Sequence, residues 1–253
     1  MVFKLKNFKA IALNIFKKLS NFYDGLTGTS DYGKFVVIGQ ERTGSNLLIT
    51  LLKSHPEIKA HGGRFMRLDG KSCDEVYDEI FPKKSNKTIG FKLFYSHPLD
   101  SVDQSIWNKL ENDPSFKIIH LQRKNLLRAH ISKLIAVKTD IWINSNEKIS
   151  LDDRKIKVDT EKMLADFETA SKHINETRDK FKNHKSIEIT YESLVDKREE
   201  TINRILNFLE VKEMQLQSQL NKINTEKTKD LVLNYEELKE RLDDTKYASM
   251  LNE

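Results

Sequence analysis

Residues 34–54 run from a short apolar stretch through a glycine-bounded turn directly into an apolar helical pattern. The run at 35–38 predicts a buried strand, and leucines from position 47 onward recur at the spacing of a helix core face. N–H groups of such a turn and of the first helical residues have no intrahelical acceptor, and the helix dipole adds partial positive charge there. The segment therefore predicts an anion site of the kind that binds phosphate groups.

The spacing of Gly39 and Gly44 is that of the phosphate loop G-x-x-x-x-G-K-[ST], but the two residues that define its nucleotide chemistry are absent. Ser45 and Asn46 stand where that motif has Lys and Ser/Thr, so Mg²⁺ lacks its usual hydroxyl ligand. A generic strand-to-helix turn is the alternative interpretation of a glycine loop taken alone.

Arg42 and Thr43 lie inside this loop. A guanidinium fork can hold two oxygens of a phosphate or sulfonate beside the N–H groups of residues 43–46. This arrangement favours metal-free group transfer over ATP hydrolysis.

A second apolar run at 116–122 predicts another buried strand, and it is followed by Arg123 and by Asn125, a suitable helix N-cap. Ser132 lies two turns into the predicted helix. A further strand is predicted at 186–190. The alternation of strands and helices predicts one α/β domain with a mostly parallel sheet flanked by helices. Because open α/β sheets bind ligands outside the carboxyl ends of their strands, two of these strand ends are predicted to bind anions.

Five blocks, taken in order, resemble the sulfotransferase superfamily, and most of all its bacterial carbohydrate and nodulation-type members. They are GQERTGSNLL, IGFKLFYSH, LQRKNLLRAHIS with the later Thr139 and Trp142, ITYESLVDKREETINRILNFLEV, and DLVLNYEELKERLDDTKY. The resemblance covers the chain from about residue 34 to its end.

The resemblance implies transfer of a sulfonate from 3'-phosphoadenosine 5'-phosphosulfate to a hydroxyl or amine of an acceptor, expected to be a carbohydrate or glycolipid. The resemblance implies that the 5'-phosphosulfate is bound by Arg42, Thr43, Gly44, Ser45 and Asn46. It implies that Arg123 and Ser132 bind the 3'-phosphate, and that Lys222 belongs to a basic loop that closes over the donor. No metal is required by this chemistry.

The resemblance implies a Glu after a His-Gly pair as the proton acceptor, but residues 60–65 read AHGGRF and contain no carboxylate. His97 is the first substitute and His61 the second, since an imidazole accepts a proton near neutral pH. An exposed turn before a proline is the alternative for His97, and an ordinary loop position is the alternative for His61. Lys92, central in the apolar run at 88–95, is expected to stabilise charge that develops on the leaving oxygen.

The 253-residue chain divides into a basic extension, 1–30, and a sulfotransferase-like domain, 31–253. Five lysines and one aspartate give the extension +4 of the net charge of +5, so the domain itself carries +1 and no nucleic-acid partner is indicated. Residues 3–22 predict an amphipathic helix that lies on an anionic membrane surface, on its own domain or on a second subunit. The single cysteine fits a reducing cytoplasm, with peripheral membrane contact left open.

Two rival functions remain at this point. A degenerate P-loop kinase or nucleotide hydrolase would require Mg²⁺ and would lack the lysine that touches the β- and γ-phosphates. A catalytically inactive, membrane-associated adaptor of the same fold would bind the bisphosphate product without turnover, which the missing Glu makes worth considering.

Overall fold

The computed structural model describes residues 29–143, 149–218 and 226–252. The segment 3–22, for which an amphipathic helix is predicted, and Lys222 lie outside these ranges, so what the sequence predicts for them stays a prediction.

A five-stranded, fully parallel sheet forms the centre of the described protein, with strand order β2-β3-β1-β4-β5. The strands are β1 Gly33–Gly39, β2 Ile58–His61, β3 Thr88–Phe94, β4 Phe116–Gln122 and β5 Ser186–Thr190. The prediction of a mostly parallel sheet is confirmed, and the apolar runs of β1, β3 and β4 follow from burial on both faces.

Helices connect and cover these strands. They are α1 Ser45–Lys53, α2 Cys73–Ile80, α3 Ser105–Glu111, α4 Leu126–Thr139, α5 Leu151–Arg154, α6 Thr160–Lys180, α7 Tyr191–Asp196, α8 Arg198–Phe208, α9 Thr228–Leu231, α10 Tyr235–Asp243 and a final 3₁₀ turn, Ala248–Leu251. Among the described helices, none is both long enough and apolar enough to cross a bilayer.

Alternate residues of β1 enter different cores. Phe35 and Val37 pack with α1 and α8 on one face of the sheet. Val36 and Ile38 pack with α2 and α3 on the other face. A third apolar cluster joins α4, α6 and α10. The sheet is thus the middle layer of an α/β/α sandwich.

The strand register brings three strand exits to one edge. Gly39, the last residue of β1, lies opposite Phe94 of β3 and Leu121 of β4. A Cβ added at Gly39 would lie 2.4 Å from the Leu121 carbonyl oxygen, so a glycine is needed for this close approach. The loops that follow β1, β3 and β4 consequently meet around one space.

Candidate functional site

The loop between β1 and α1 has the shape of an anion cradle. Arg42 and Gly44 adopt left-handed backbone conformations, with φ of 65° and 84°. The Thr43 hydroxyl donates to the Gln40 carbonyl at 2.8 Å and so stabilises the turn. A Cβ at Gly44 would meet the Tyr191 ring at 2.6 Å. Within the described chain no side chain caps α1, so the first helical N–H groups face the loop.

The Arg42 guanidinium lies against α4. Its Nε donates to Ser132 Oγ at 2.9 Å, and its Nη1 donates to the Trp142 carbonyl at 2.6 Å. From the β4 exit, Arg123 Nη1 donates to the Arg42 carbonyl at 2.9 Å. The structure therefore brings together the two arginines and the serine that the sequence assigned to opposite ends of one ligand.

Arg123 holds a buried donor with no protein acceptor. Its guanidinium stacks on the Tyr191 ring, with Cζ 4.3 Å from the ring centroid. Its Nε is buried and has no hydrogen-bond partner among the described residues. Burial lowers the pKa of Arg123 to about 10, which still leaves a full cation at neutral pH. Because an unsatisfied buried donor costs roughly 1–3 kcal/mol, an anionic ligand oxygen at this point would be stabilising.

Lys92 lies within β3, two residues before the strand ends, on the other side of the loop. It is 8% exposed, and its Nζ donates to Asn46 Oδ1 in the first turn of α1 at 2.6 Å. Burial, and secondarily the Lys53 charge, lowers the pKa of Lys92 to about 8, while the Glu41 carboxylate opposes this shift. The predicted cleft lysine is thus a desolvated cation beside the helix N-terminus.

His97 is buried, with 1% of its surface exposed, so the alternative of an exposed turn is wrong. The Phe94 N–H donates to His97 Nδ1 at 3.3 Å, and the Trp107 indole donates to the His97 carbonyl at 3.0 Å. Burial lowers the pKa of His97 to about 4. With Nδ1 accepting a hydrogen bond, the neutral ring carries its proton on Nε2.

His61 ends β2, and its Nε2 is buried without a partner among the described residues. Burial, followed by the charge of Lys59, lowers the pKa of His61 to about 4. The strand exit continues past Gly63, where a Cβ would lie 3.7 Å from Lys92 Cε. The His-Gly segment thus runs close to Lys92, and residues 62–65, which read GGRF, supply no carboxylate there.

Two groups near the site were not assigned from the sequence. They are Tyr191, whose ring packs on Gly44 and Arg123, and Glu41, whose charge acts on Lys92 and His97. Asn46 was assigned to the donor, but its hydrogen bond with Lys92 was not predicted. Tyr191 directly follows β5, and a residue at the exit of a parallel strand was a usable signal. Thr43 in the loop and Ser45, the first residue of α1, are both buried.

Comparison with known proteins fits this geometry. Residues 110–215 match the model of a sulfotransferase family. A crystal structure of a sulfotransferase from Alicyclobacillus acidocaldarius shares the fold with a TM-score of 0.51, over 83% of this chain and 93% of that one. The matched stretch is less than half of the chain, so the likeness to the sulfotransferase family is a likeness over residues 110–215.

The chain has 14% sequence identity to the Alicyclobacillus protein, so that likeness concerns the fold. The matched region 110–215 contains Arg123, Ser132 and Tyr191, whereas the loop at 39–44 lies outside it. A search among curated proteins gave no match.

Proposed function

We propose that the protein transfers a sulfonate from 3'-phosphoadenosine 5'-phosphosulfate to a hydroxyl or amine of a carbohydrate or glycolipid. The observation that carries this proposal is the orphaned Nε of Arg123, one strand away from the cradle between β1 and α1. Two anion-binding places at adjacent strand exits suit a nucleotide with phosphates on both sides of its ribose.

Arg123, Ser132 and Arg42 would hold the 3'-phosphate side. In the present geometry Ser132 Oγ and the Arg42 guanidinium are hydrogen-bonded to each other, so both polar groups already point into one space. The Tyr191 ring beneath Arg123 fixes the guanidinium plane. Arg42 can also reach the 5' side, since its backbone forms the loop.

The N–H groups of residues 43–46 would hold the 5' side, at the positive end of α1. The donor supplies the sulfonate, whose bond to the acceptor oxygen forms while its bond to the bisphosphate breaks. Lys92 would neutralise the negative charge that grows on the leaving oxygen, and Asn46 keeps its ammonium group at the loop.

His97 would serve best as a hydrogen-bond donor through Nε2, because its Nδ1 accepts from Phe94. Its role as a base, expected from the sequence, requires the other tautomer and loss of that bond. His61, whose pKa is lowered to about 4 by burial and then by the Lys59 charge, would be a weak base.

Calorimetric titration with adenosine 3',5'-bisphosphate and with ADP, each with and without Mg²⁺, tests this function. We expect tighter binding of the bisphosphate, independent of Mg²⁺, and at least tenfold weaker binding by Arg42→Ala, the loss of about 1.4 kcal/mol expected for charge-assisted bonds. Lys124 is exposed and follows Arg123 in the sequence, so Lys124→Ala is the matched control and should keep the wild-type affinity.

Equal affinity for the two nucleotides, or unchanged affinity in Arg42→Ala, would contradict the proposal. Preference for ADP with Mg²⁺ would favour the kinase or hydrolase alternative. Tight bisphosphate binding with no transfer to any saccharide or glycolipid acceptor would favour the inactive adaptor.

A further inference from the structure

A cavity of about 190 Å³ opens beside the donor loop, between α4 and α6. The α4 residues that line it, Leu126, Ala129, His130 and Lys133, follow the spacing of a single helix face. Ser132 faces Arg42 instead. The helix α4 therefore separates the proposed 3'-phosphate pocket from this cavity, and none of the roles assigned so far uses it.

The cavity combines an apolar wall with polar groups of both signs. Phe94, Phe167 and Ala170 supply apolar surface. His130 Nδ1 lies 3.4 Å from Asp166 Oδ2, and Lys133 Nζ lies 3.7 Å from Glu41 Oε2. A sugar ring presents the matching chemistry, with hydroxyls at its edge and C–H groups on its faces.

The size of the cavity favours a single ring. Its volume is below the roughly 300–1,000 Å³ that is usual for drug-sized ligands, and it equals about six waters at roughly 30 Å³ each. A longer saccharide would have to extend out of the open side, past Thr169, which lines the cavity and is exposed.

Glu41 connects this cavity to the donor loop. It lines the cavity, while the next residue, Arg42, has left-handed φ and sends its side chain to Ser132. The Glu41 carboxylate also raises the pKa of both Lys92 and His97 against the effect of burial. Phe94 and Ser96, which also line the cavity, lie on the segment between Lys92 and His97. Glu41 is therefore a carboxylate at the end of the cavity that adjoins the donor loop and this segment.

We propose that the cavity between α4 and α6 binds one neutral sugar ring of the acceptor, and that Glu41 takes the proton from its reacting hydroxyl. The inference rests on the proposed sulfonate transfer. The hydroxyl proton passes to the Glu41 carboxylate as the acceptor oxygen bonds to sulfur, and the bisphosphate oxygen leaves with the electron pair of the broken bond.

Saturation-transfer NMR on the full chain, saturated with adenosine 3',5'-bisphosphate, tests the binding part. The probes are glucose, galactose, N-acetylglucosamine and phenol. We expect at least one sugar to bind the wild type, and its signal to fall at least tenfold in Ala170→Met, which fills the cavity. Ala165→Met, at an exposed position on the same helix and outside the cavity, should keep the signal.

Thr169→Trp narrows the open side without touching the core, so it keeps the test valid if Ala170→Met does not fold. Binding of phenol alone, of no probe, or of a sugar equally by wild type and Thr169→Trp would overturn the cavity assignment. Failure of the bisphosphate itself to bind would instead contradict the proposed function.

Glu41→Gln tests the proton transfer. With the sugar that binds, we expect the rate of sulfonate transfer to fall about 10²–10⁴-fold, while the sugar NMR signal and the bisphosphate affinity change less than threefold. An unchanged transfer rate, or loss of sugar binding in this variant, would overturn the role of Glu41.

Discussion

The two sides of the donor loop are built differently. On the α4 side, hydrogen bonds join Arg42, Ser132 and Arg123, which lie on three separate elements. The buried Nε of Arg123 has no hydrogen-bond partner among the described residues. On the β3 side, Lys92 is buried, its Nζ lies over the Phe94 ring, and the hydrogen bond that the described residues give it goes to one amide oxygen, Asn46 Oδ1.

This difference separates binding from chemistry. A preformed set of cations is suited to hold a charge that is constant through the reaction, and it loses little freedom when the ligand arrives. A desolvated lysine interacts most strongly with charge that appears only in the transition state, because the low local dielectric strengthens that interaction. The α4 side should therefore govern affinity and the β3 side should govern rate.

The largest effect is expected for Lys92→Met. Loss of one preorganised cation at the leaving oxygen should lower kcat about 10²–10³-fold, while affinity for adenosine 3',5'-bisphosphate changes less than threefold. Single-turnover transfer rates and calorimetry measure the two quantities. If affinity fell as much as the rate did, Lys92 would belong to the binding side and the comparison would fail.

Gly44→Ala should weaken the α4 side through its backbone. A left-handed φ of 84° and a Cβ at 2.6 Å from the Tyr191 ring together should lower the free energy of unfolding by about 1–3 kcal/mol. Urea denaturation measures this loss. Gly62→Ala, where no heavy atom lies within 4 Å of the new Cβ, is the control and should change stability by less than about 0.5 kcal/mol. Equal losses in both variants would show that the loop is not shaped by Tyr191.

Tyr191→Leu removes the ring beneath Arg123 but leaves the cation. The loss of a cation–π contact of about 0.5–2 kcal/mol should weaken bisphosphate binding between about twofold and thirtyfold, with kcat unchanged. A drop in kcat at saturating donor would place Tyr191 on the side that governs rate.

The smallest expected effect is on pH dependence. Because burial lowers the pKa of Lys92 to about 8 and the cation is the active form, kcat should fall as pH rises through about 8. The Lys53 charge lowers this pKa further, so Lys53→Met should move the falling limb to higher pH. A limb that stays in place, or moves to lower pH, would show that another group controls it.

Much of the fold followed from the sequence, because β1, β3 and β4 are buried on both faces and read as continuous apolar runs. The parallel sheet, the loop and the arginine at the β4 exit were predictable for that reason. The contact between Arg42 and Ser132 joins residues 90 positions apart, and helical periodicity does not fix which side of α4 a distant arginine reaches.

The character of His97 was also beyond the sequence. A His-Pro pair is typical of an exposed turn, yet tertiary packing buries this ring and Trp107 donates to its carbonyl. Likewise, the sequence does not distinguish Glu41 from the other residues of its loop, because its place at the cavity depends on how α4 and α6 pack.

Binding of adenosine 3',5'-bisphosphate and of adenosine 5'-monophosphate to wild type and Arg123→Met tests the central claim most directly, because the two ligands differ only by the 3'-phosphate. We predict that Arg123→Met lowers bisphosphate affinity about 10–100-fold, toward the wild-type affinity for the monophosphate, and leaves monophosphate binding unchanged. Equal weakening of both ligands would contradict the account, because the pocket at the β4 exit would then not recognise the 3'-phosphate.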